Sequence, residues 1–247
     1  MKVLQWNVWH REDISNILKT IRGIDPDIVC LQELVADRSP GDPKSDRPRY
    51  IAEGLGFGYF FKSAQDEISD GRRQEFGNGI FSRYPILDSH HHCIQDPQEP
   101  DGEALDYSKE GRVYVEVVLD VDGKRLTVGT THMSYTDRFV PNAAKEAEAE
   151  RLMEILRDRT ERFIFTGDLN VPPESDIVTG ISGILRHAGP DFFHKTWATK
   201  PFSYNGFEVA GLVYRLDYGF VSPDMAVKTA TVVDTPYSDH LPLLLEF

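Results

Sequence analysis

Arg162-Phe163-Ile164-Phe165-Thr166-Gly167-Asp168-Leu169-Asn170-Val171-Pro172-Pro173 is a short aromatic and β-branched run that breaks into polar residues and then into prolines. Its apolar part reads as a buried strand, and Gly167 reads as the point where the backbone turns sharply. Asp168 and Asn170 are then delivered to the strand's C-terminal edge. Side chains alternate along an extended backbone, so residues two apart face one site. A carboxylate beside a carboxamide suits a water molecule attacking phosphorus. The competing reading is an ordinary turn, since Asp, Asn, Gly and Pro are all common in turns.

The flanking sequence decides between them. Upstream, Asn142 to Asp158 is rich in Ala, Glu, Lys, Arg and Leu, with Ala149, Leu152, Ile155 and Leu156 on one face. This predicts a helix packed on a sheet, its many charges forming a solvated face. Before it, Val113 to Leu119 and Arg125 to Thr130 flank Asp122-Gly123, a hairpin signal, and the second strand runs into Thr131-His132. His132 is thus another polar group just past an apolar run.

At the N-terminal end, Val3-Leu4-Gln5-Trp6 predicts a strand that stops at Asn7. Ile14, Ile17, Leu18 and Ile21 recur at the spacing of one helical face, with Asp13 as N-cap and Gly23 as stop. Ile28-Val29-Cys30-Leu31 is a continuous apolar run, suited to a strand covered on both faces, and it ends at Gln32-Glu33. Strand, helix, strand is a βαβ unit that places Asn7 and Glu33 at the C-terminal ends of neighbouring strands.

Residues 36 to 77 are polar and rich in Pro, Gly and charge, and read as mostly surface loop with a short helix at Tyr50 to Leu55. Asn78 to Ile86 reads as a strand ending at a turn. His90-His91-His92-Cys93 invites a zinc reading, but adjacent residues on a strand point to opposite faces and cannot all bind one ion. Past Asn170 there are few clear periods until Arg215-Leu216-Asp217-Tyr218-Gly219-Phe220-Val221, a strand with a charged residue that needs a partner if buried. Ser238-Asp239-His240 then leads into a last apolar strand.

The 247 residues, 40% of them hydrophobic, can supply a sizeable core. One domain over 1–247 is expected, because the polar motifs run from Asn7 almost to the C-terminus. The N-terminus lacks an apolar leader segment and no stretch is long enough to span a membrane, so a cytoplasmic location is expected. Two cysteines are too few for a disulfide framework. A formal charge of −13 argues against broad adhesion to nucleic acid, although a local basic rim beside a metal-filled site leaves a nuclease open.

Asn7, Gln32-Glu33, Thr131-His132, Gly167-Asp168-Leu169-Asn170, Arg215-Leu216-Asp217-Tyr218 and Ser238-Asp239-His240, in this order, resemble the endonuclease/exonuclease/phosphatase superfamily, which includes DNase I, apurinic endonucleases, neutral sphingomyelinases and inositol polyphosphate phosphatases. The resemblance implies a DNase I-like four-layer α/β sandwich, with two face-to-face β-sheets flanked by helices and a site at one edge. It also implies a metal-dependent phosphoesterase. If Glu33, Asp168, Asp217 and Asp239 converge, each pair repels by up to about 4 kcal/mol at contact and an effective dielectric near 20, so cations are needed. Oxygen ligands without thiolates favour Mg2+ or Mn2+.

The resemblance assigns Glu33 as principal metal ligand, with Asn7 and Asp239 completing the shell. Asp168 would orient and help deprotonate the attacking water, although an ordinary carboxyl with a pKa of about 3.9 is a poor base. Asn170 would hold that water or a phosphate oxygen. His132 and His240 would donate to the non-bridging oxygens, with Asp217 fixing the tautomer of His240. Trp9, where apurinic endonucleases carry an Asp, and His132, where they carry a Tyr, point away from that branch; Glu110-Gly111-Arg112-Val113 echoes it. The expected substrate is a phosphodiester, nucleic acid among the candidates. The alternatives are a phosphomonoesterase acting on a small or lipid phosphate, and an inactive binding protein on the same fold.

Overall fold

Burial with a period of two sorts the strands into sheets. In the computed structural model, which describes residues 1–37, 39, 41–69, 72–97 and 107–247, the chain begins with β1 (Lys2–Asn7), α1 (Ile14–Ile24), β2 (Ile28–Ala36), α2 (Arg47–Leu55), β3 (Gly58–Ser69) and β4 (Arg72–Ser82). It continues with β5 (Ile86–Gln95), β6 (Arg112–Val121), β7 (Lys124–His132), α3 (Ala143–Arg157), β8 (Phe163–Asp168), α4 (Asp176–Ser182) and β9 (Arg186–His187). Last come β10 (Phe202–Tyr204), β11 (Phe207–Val209), β12 (Asp217–Val221), β13 (Thr229–Val232) and β14 (Leu243–Glu246).

One six-stranded sheet has the order β13-β14-β1-β2-β4-β3 and the other β5-β6-β7-β8-β12-β9. Val3, Ile28 and Cys30 of the first meet Val113, Val115, Val117 and Val128 of the second in a core between the sheets. The alternate residues face outward. Leu4, Trp6, Val29 and Leu31 pack against Ile14, Ile17, Ile21 and Ile51 of α1 and α2, and Tyr114, Phe163 and Phe165 pack against Leu152, Leu156, Ile177 and Ile181 of α3 and α4. Three apolar interfaces therefore separate four layers, the DNase I-like sandwich that the sequence motifs imply.

The capping chemistry agrees with the sequence at one end of α1 and not at the other. Asp13 accepts from Ser15 N at 2.9 Å, but Gly23 lies within the helix and Asp25, at φ 52°, is the left-handed residue that ends it. Asn142 caps α3 by accepting from Lys145 N at 2.9 Å. On α3 the apolar stripe is Ala149, Leu152 and Leu156, with Ile155 only partly buried. The expected solvated face is incomplete, because Lys145 and Glu148 are both buried.

Two readings change more. Residues 36 to 77 hold β3 and most of β4, a long hairpin pair at the sheet's edge, rather than mostly loop. Beyond Phe61 most of these residues are only half-buried, so the apolar alternation that marks a strand is weak there. Gly167 is not a turn. It lies inside β8, paired with Thr131 of the parallel strand β7 and Tyr218 of β12, and a Cβ there would come within 2.4 Å of the Thr131 carbonyl oxygen.

These glycines give opposite predictions for alanine. Gly167→Ala should cost about 3 kcal/mol, since the obstacle is backbone. Gly23→Ala, in a helix with nothing within 4 Å of the new methyl, should stabilise by about 0.5–1 kcal/mol. Urea midpoints for the two variants check both signs.

Candidate active site

Strand register builds the site before any side-chain contact is considered. His132 pairs with Asp168 across parallel β7 and β8, and Asp168 pairs with Asp217 across antiparallel β8 and β12. Residues paired across a sheet point to the same face, so these three stand in a row. In the facing sheet Asn7, the last residue of β1, pairs with Gln32 within β2, which runs on to Ala36 rather than ending at Gln32-Glu33 as the apolar run suggested. The β2–β4 register shifts between Leu31 and Leu34, and Glu33 sits in that bulge at φ 58°. A bulge re-aims one side chain, here a carboxylate, toward the reacting edge.

Asn7 ties the two sheets together. Its Nδ2 donates to Glu33 Oε1 at 2.9 Å and to Asp168 Oδ2 at 3.0 Å. Glu33 Oε2 accepts from the backbone and ring of His10, at 3.1 and 2.9 Å. Burial alone would raise the Glu33 carboxyl, but the hydrogen bonds from His10 and Asn7 hold it well below the usual carboxylate range. Asp168 is fully buried and its pKa is pushed up to about 7, by burial first and by neighbouring Asp217. That lies above the ordinary carboxyl value used in the sequence reading.

Between the carboxylates stands His240. Its Nδ1 donates to Asp217 Oδ2 at 2.8 Å, and its Nε2 lies 3.6 Å from Asp168 Oδ2. Burial opposes charge on this ring, yet Asp217, Asp168 and Asp239 outweigh it and hold the pKa well above the ordinary value. His132 goes the other way: burial and the Arg112 guanidinium hold it well below. Asn170 Nδ2 donates to its Nε2 at 3.0 Å, which makes that nitrogen the acceptor of a neutral ring, and Arg112 Nη1 lies 3.5 Å from Nδ1. Asn170, at φ 50°, also donates to the Met133 carbonyl at 2.9 Å, and its backbone N–H donates to Asp168 Oδ1 at 2.9 Å. Asp239 accepts from Trp197 Nε1 at 3.2 Å, and burial raises its carboxyl.

The site residues that the family resemblance assigned therefore gather at one edge, whereas His90 to Cys93 lie on β5, outside the cleft lining. Glu33, His132, Asp168, Asn170, Asp239 and His240 line a cleft of about 670 Å³. Asn7 and Asp217 stand behind them. Asp168, Asp217 and His240 each bring one candidate metal-ligand atom within 4.8 Å of the others, but Asp217 is already committed, with Oδ2 to His240 and Oδ1 to Gln5 Nε2 at 2.9 Å. Of the carboxylates that line the cleft, Glu33, Asp168 and Asp239 at its inner edge form an oxygen set that suits a hard divalent cation.

Sequence reading passed over several partners. Gln5 donates to both Gln32 Oε1 and Asp217 Oδ1 at 2.9 Å, inside the inter-sheet core. The available signal was a glutamine within an apolar strand, the same feature that drew attention to Asp217. Lys145 Nζ donates to the Ser134 carbonyl and, at 2.7 Å, to the Leu169 carbonyl. Glu148 accepts from Ser134 N at 3.1 Å and Ser134 Oγ at 2.5 Å. On a helix this rich in charge, nothing in the sequence marked either residue as buried.

The Endonuclease/Exonuclease/phosphatase family model matches residues 4–240, and the chain belongs to that family, whose members are phosphoesterases. Among solved structures, a mannosyl-6-phosphatase from Bacteroides thetaiotaomicron is 19% identical with a TM-score of 0.71, the match covering 100% of this chain and 98% of that one. A family protein from Beutenbergia cavernae is 21% identical with a TM-score of 0.73, over 99% and 70% of the two chains. The human Nocturnin catalytic domain with bound sulfate is 20% identical with a TM-score of 0.66, over 99% and 93%. A search of curated protein sequences gives no match.

The opposed histidine shifts give a direct prediction. In protein freed of metal by chelation, NMR of the imidazole nitrogens at pH 7 should find His240 doubly protonated and His132 neutral. Asp217→Asn should lower the His240 pKa. A His240 that titrated near 6.5 in the unmutated protein would refute the carboxylate cage. A raised histidine contributes stability that is complete below its unfolded value of about 6.5 and is lost as pH rises through the folded pKa.

Proposed function

We propose that this chain, working as one domain over residues 1–247, hydrolyses phosphoester bonds by metal-assisted attack of water. The observation that carries the reading is the Asn7 amide, which holds Glu33 and Asp168 to one another across the two sheets at 2.9 and 3.0 Å. A cation-binding carboxylate and a water-activating carboxylate are thereby fixed in one cleft. Mg2+ or Mn2+, held by Glu33 with Asn7 and Asp239, would supply Lewis acidity to the phosphoryl oxygens.

Asp168 accepts the proton of the attacking water at one of its carboxylate oxygens. With its pKa pushed up to about 7, it is matched to that task near neutral pH. Asn7 and the Asn170 backbone N–H fix its orientation. His240, kept charged by its carboxylate neighbours, donates from Nε2 to a non-bridging oxygen as negative charge builds there. Asp217 holds Nδ1 and so fixes which nitrogen points forward. Asn170 Nδ2 is engaged by Met133 O and His132 Nε2, so its Oδ1 is the atom available to a water. His132, held neutral, accepts from the Asn170 amide at Nε2 and so orients that side chain beside the reacting phosphate.

A phosphodiester is the first substrate reading, with nucleic acid among the candidates. A small phosphomonoester is the second, favoured by the bounded cleft and by the formal charge of −13, which repels polyanions. Among the described residues no helix is long and apolar enough to cross a membrane.

Hydrolysis of bis(p-nitrophenyl) phosphate and of p-nitrophenyl phosphate with Mg2+, with Mn2+ and with chelator tests this directly. Activity should need the metal, and Asp168→Asn should lower kcat by about 100-fold or more while leaving the thermal unfolding cooperative. Near-normal turnover by the variant would remove Asp168 from the reaction, and metal-independent turnover would remove the cation.

A further inference from the structure

The cleft has more surface than the reaction centre uses. Tyr204 of the β10–β11 hairpin has its ring 5.2 Å from that of Tyr107 and 5.8 Å from that of Tyr135. Phe202 of the same hairpin stands 6.2 Å from Tyr135. All four rings line the cleft and stay partly open to solvent. Tyr135 follows His132 by three residues, so this aromatic surface continues directly from the reacting edge.

Two carboxylates beyond the reacting edge also stand on that cleft surface. Glu67 of β3 and Glu110, just ahead of β6, both line it. Glu110 is held by Arg112 Nη2 at 2.7 Å. Glu67 has no hydrogen-bond or salt-bridge partner among the described residues, and burial raises its carboxyl. A half-buried carboxylate with nothing to accept from calls for donors on a ligand. Cations, by contrast, are mostly committed. Lys200 Nζ donates to Glu12 at 2.8 Å and stands 4.5 Å above the Trp9 ring, and Arg112 is bonded to Glu110. Arg11 at the cleft surface has neither a hydrogen bond nor an ion pair among the described residues.

The ligand that fits has one phosphate, a flat C–H face for the aromatic rings and an edge of hydroxyl donors for the carboxylates. A polyhydroxylated ring has that face and that edge. A nucleobase also stacks, but its edge mixes acceptors with donors, and a carboxylate only accepts. A second phosphate would meet Glu33, Glu67, Glu110 and Asp239 with little free positive charge to receive it. We propose that Tyr204, Tyr135 and Glu67 form a subsite for a sugar ring, and that the substrate is a sugar monophosphate. This rests on the phosphoester-hydrolase reading above for its turnover, though not for its binding.

Binding is therefore the test. The 247-residue Asp168→Asn chain with Mg2+ is titrated by calorimetry with glucose, mannose and galactose 6-phosphates, with phenyl phosphate, with adenosine monophosphate and with inorganic phosphate. At least one hexose phosphate should bind ten-fold or more tightly than phenyl phosphate, which can stack but carries no hydroxyls, and than the nucleotide and free phosphate. Adding Glu67→Gln, a change on a half-exposed strand that leaves the core alone, or Tyr204→Ala should erase most of that advantage. Equal binding of phenyl phosphate or the nucleotide overturns the sugar assignment, as does an advantage that survives Glu67→Gln. Turnover by the unmutated enzyme separates the two readings. Hydrolysis without sugar preference sinks the subsite and keeps the hydrolase, whereas sugar-selective binding without hydrolysis of any phosphoester does the reverse.

Discussion

Two carboxylates, Asp168 and Asp217, stand side by side on antiparallel strands with no exposure to solvent, and the surrounding structure is arranged to make that tolerable. Like charges in such a place repel by several kcal/mol, and each alone would shed its charge. Here the two are treated differently. Asp217 is satisfied from both sides, by Gln5 and His240. Asp168 has the Asn7 amide and the Asn170 N–H, and burial keeps its affinity for a proton high. One carboxylate anchors a charged imidazole and the other is left able to take up a proton. That division of labour comes from environment alone, since the side chains are identical.

The layered fold supplies the geometry. Parallel pairs β1–β2 and β7–β8 send their C-terminal ends to one edge, and antiparallel β12 and β14 begin there. Each strand end contributes one or two polar residues, so no single segment has to hold the whole site. Some of the backbone conformations that are uncommon for side-chain-bearing residues lie at the same edge, with positive φ at Trp9, Glu33, Asn170 and Ser238. Such conformations persist where the surrounding structure over-determines them. The Glu33 bulge and the Ser238 hydroxyl bond to the Asn7 carbonyl at 2.7 Å are two instances.

What the sequence made legible was position along the chain: polar residues at the ends of apolar runs, in an order that matches a family. Asn7, Glu33, His132, Asp168 and His240 could be named on that basis alone. What it could not make legible was environment. The acidity of Asp168 depends on burial and on a neighbour 49 residues away in sequence, and the β-register that brings Asp217 there is a property of the folded sheet. The β3–β4 hairpin was hidden because an edge strand half open to water loses the alternation that marks a strand. Gly167 was visible, but the reason for it was not. A turn and a crowded parallel neighbour both select glycine, and only the Thr131 carbonyl tells them apart.

Lys145 and Glu148 lie three residues apart on α3 and grip the loops that follow β7 and β8. Those loops carry Asn170 and the residues just beyond His132, so the helix and the reacting edge are held by the same bonds. Neither can fray by itself. Detaching the first turns of α3 would strip a buried ammonium and a buried carboxylate of their partners at once, a cost of several kcal/mol. The helix and the two loops are therefore expected to open as one unit. The inner face of α3 is thus tied by side-chain bonds to the loops that border the cleft.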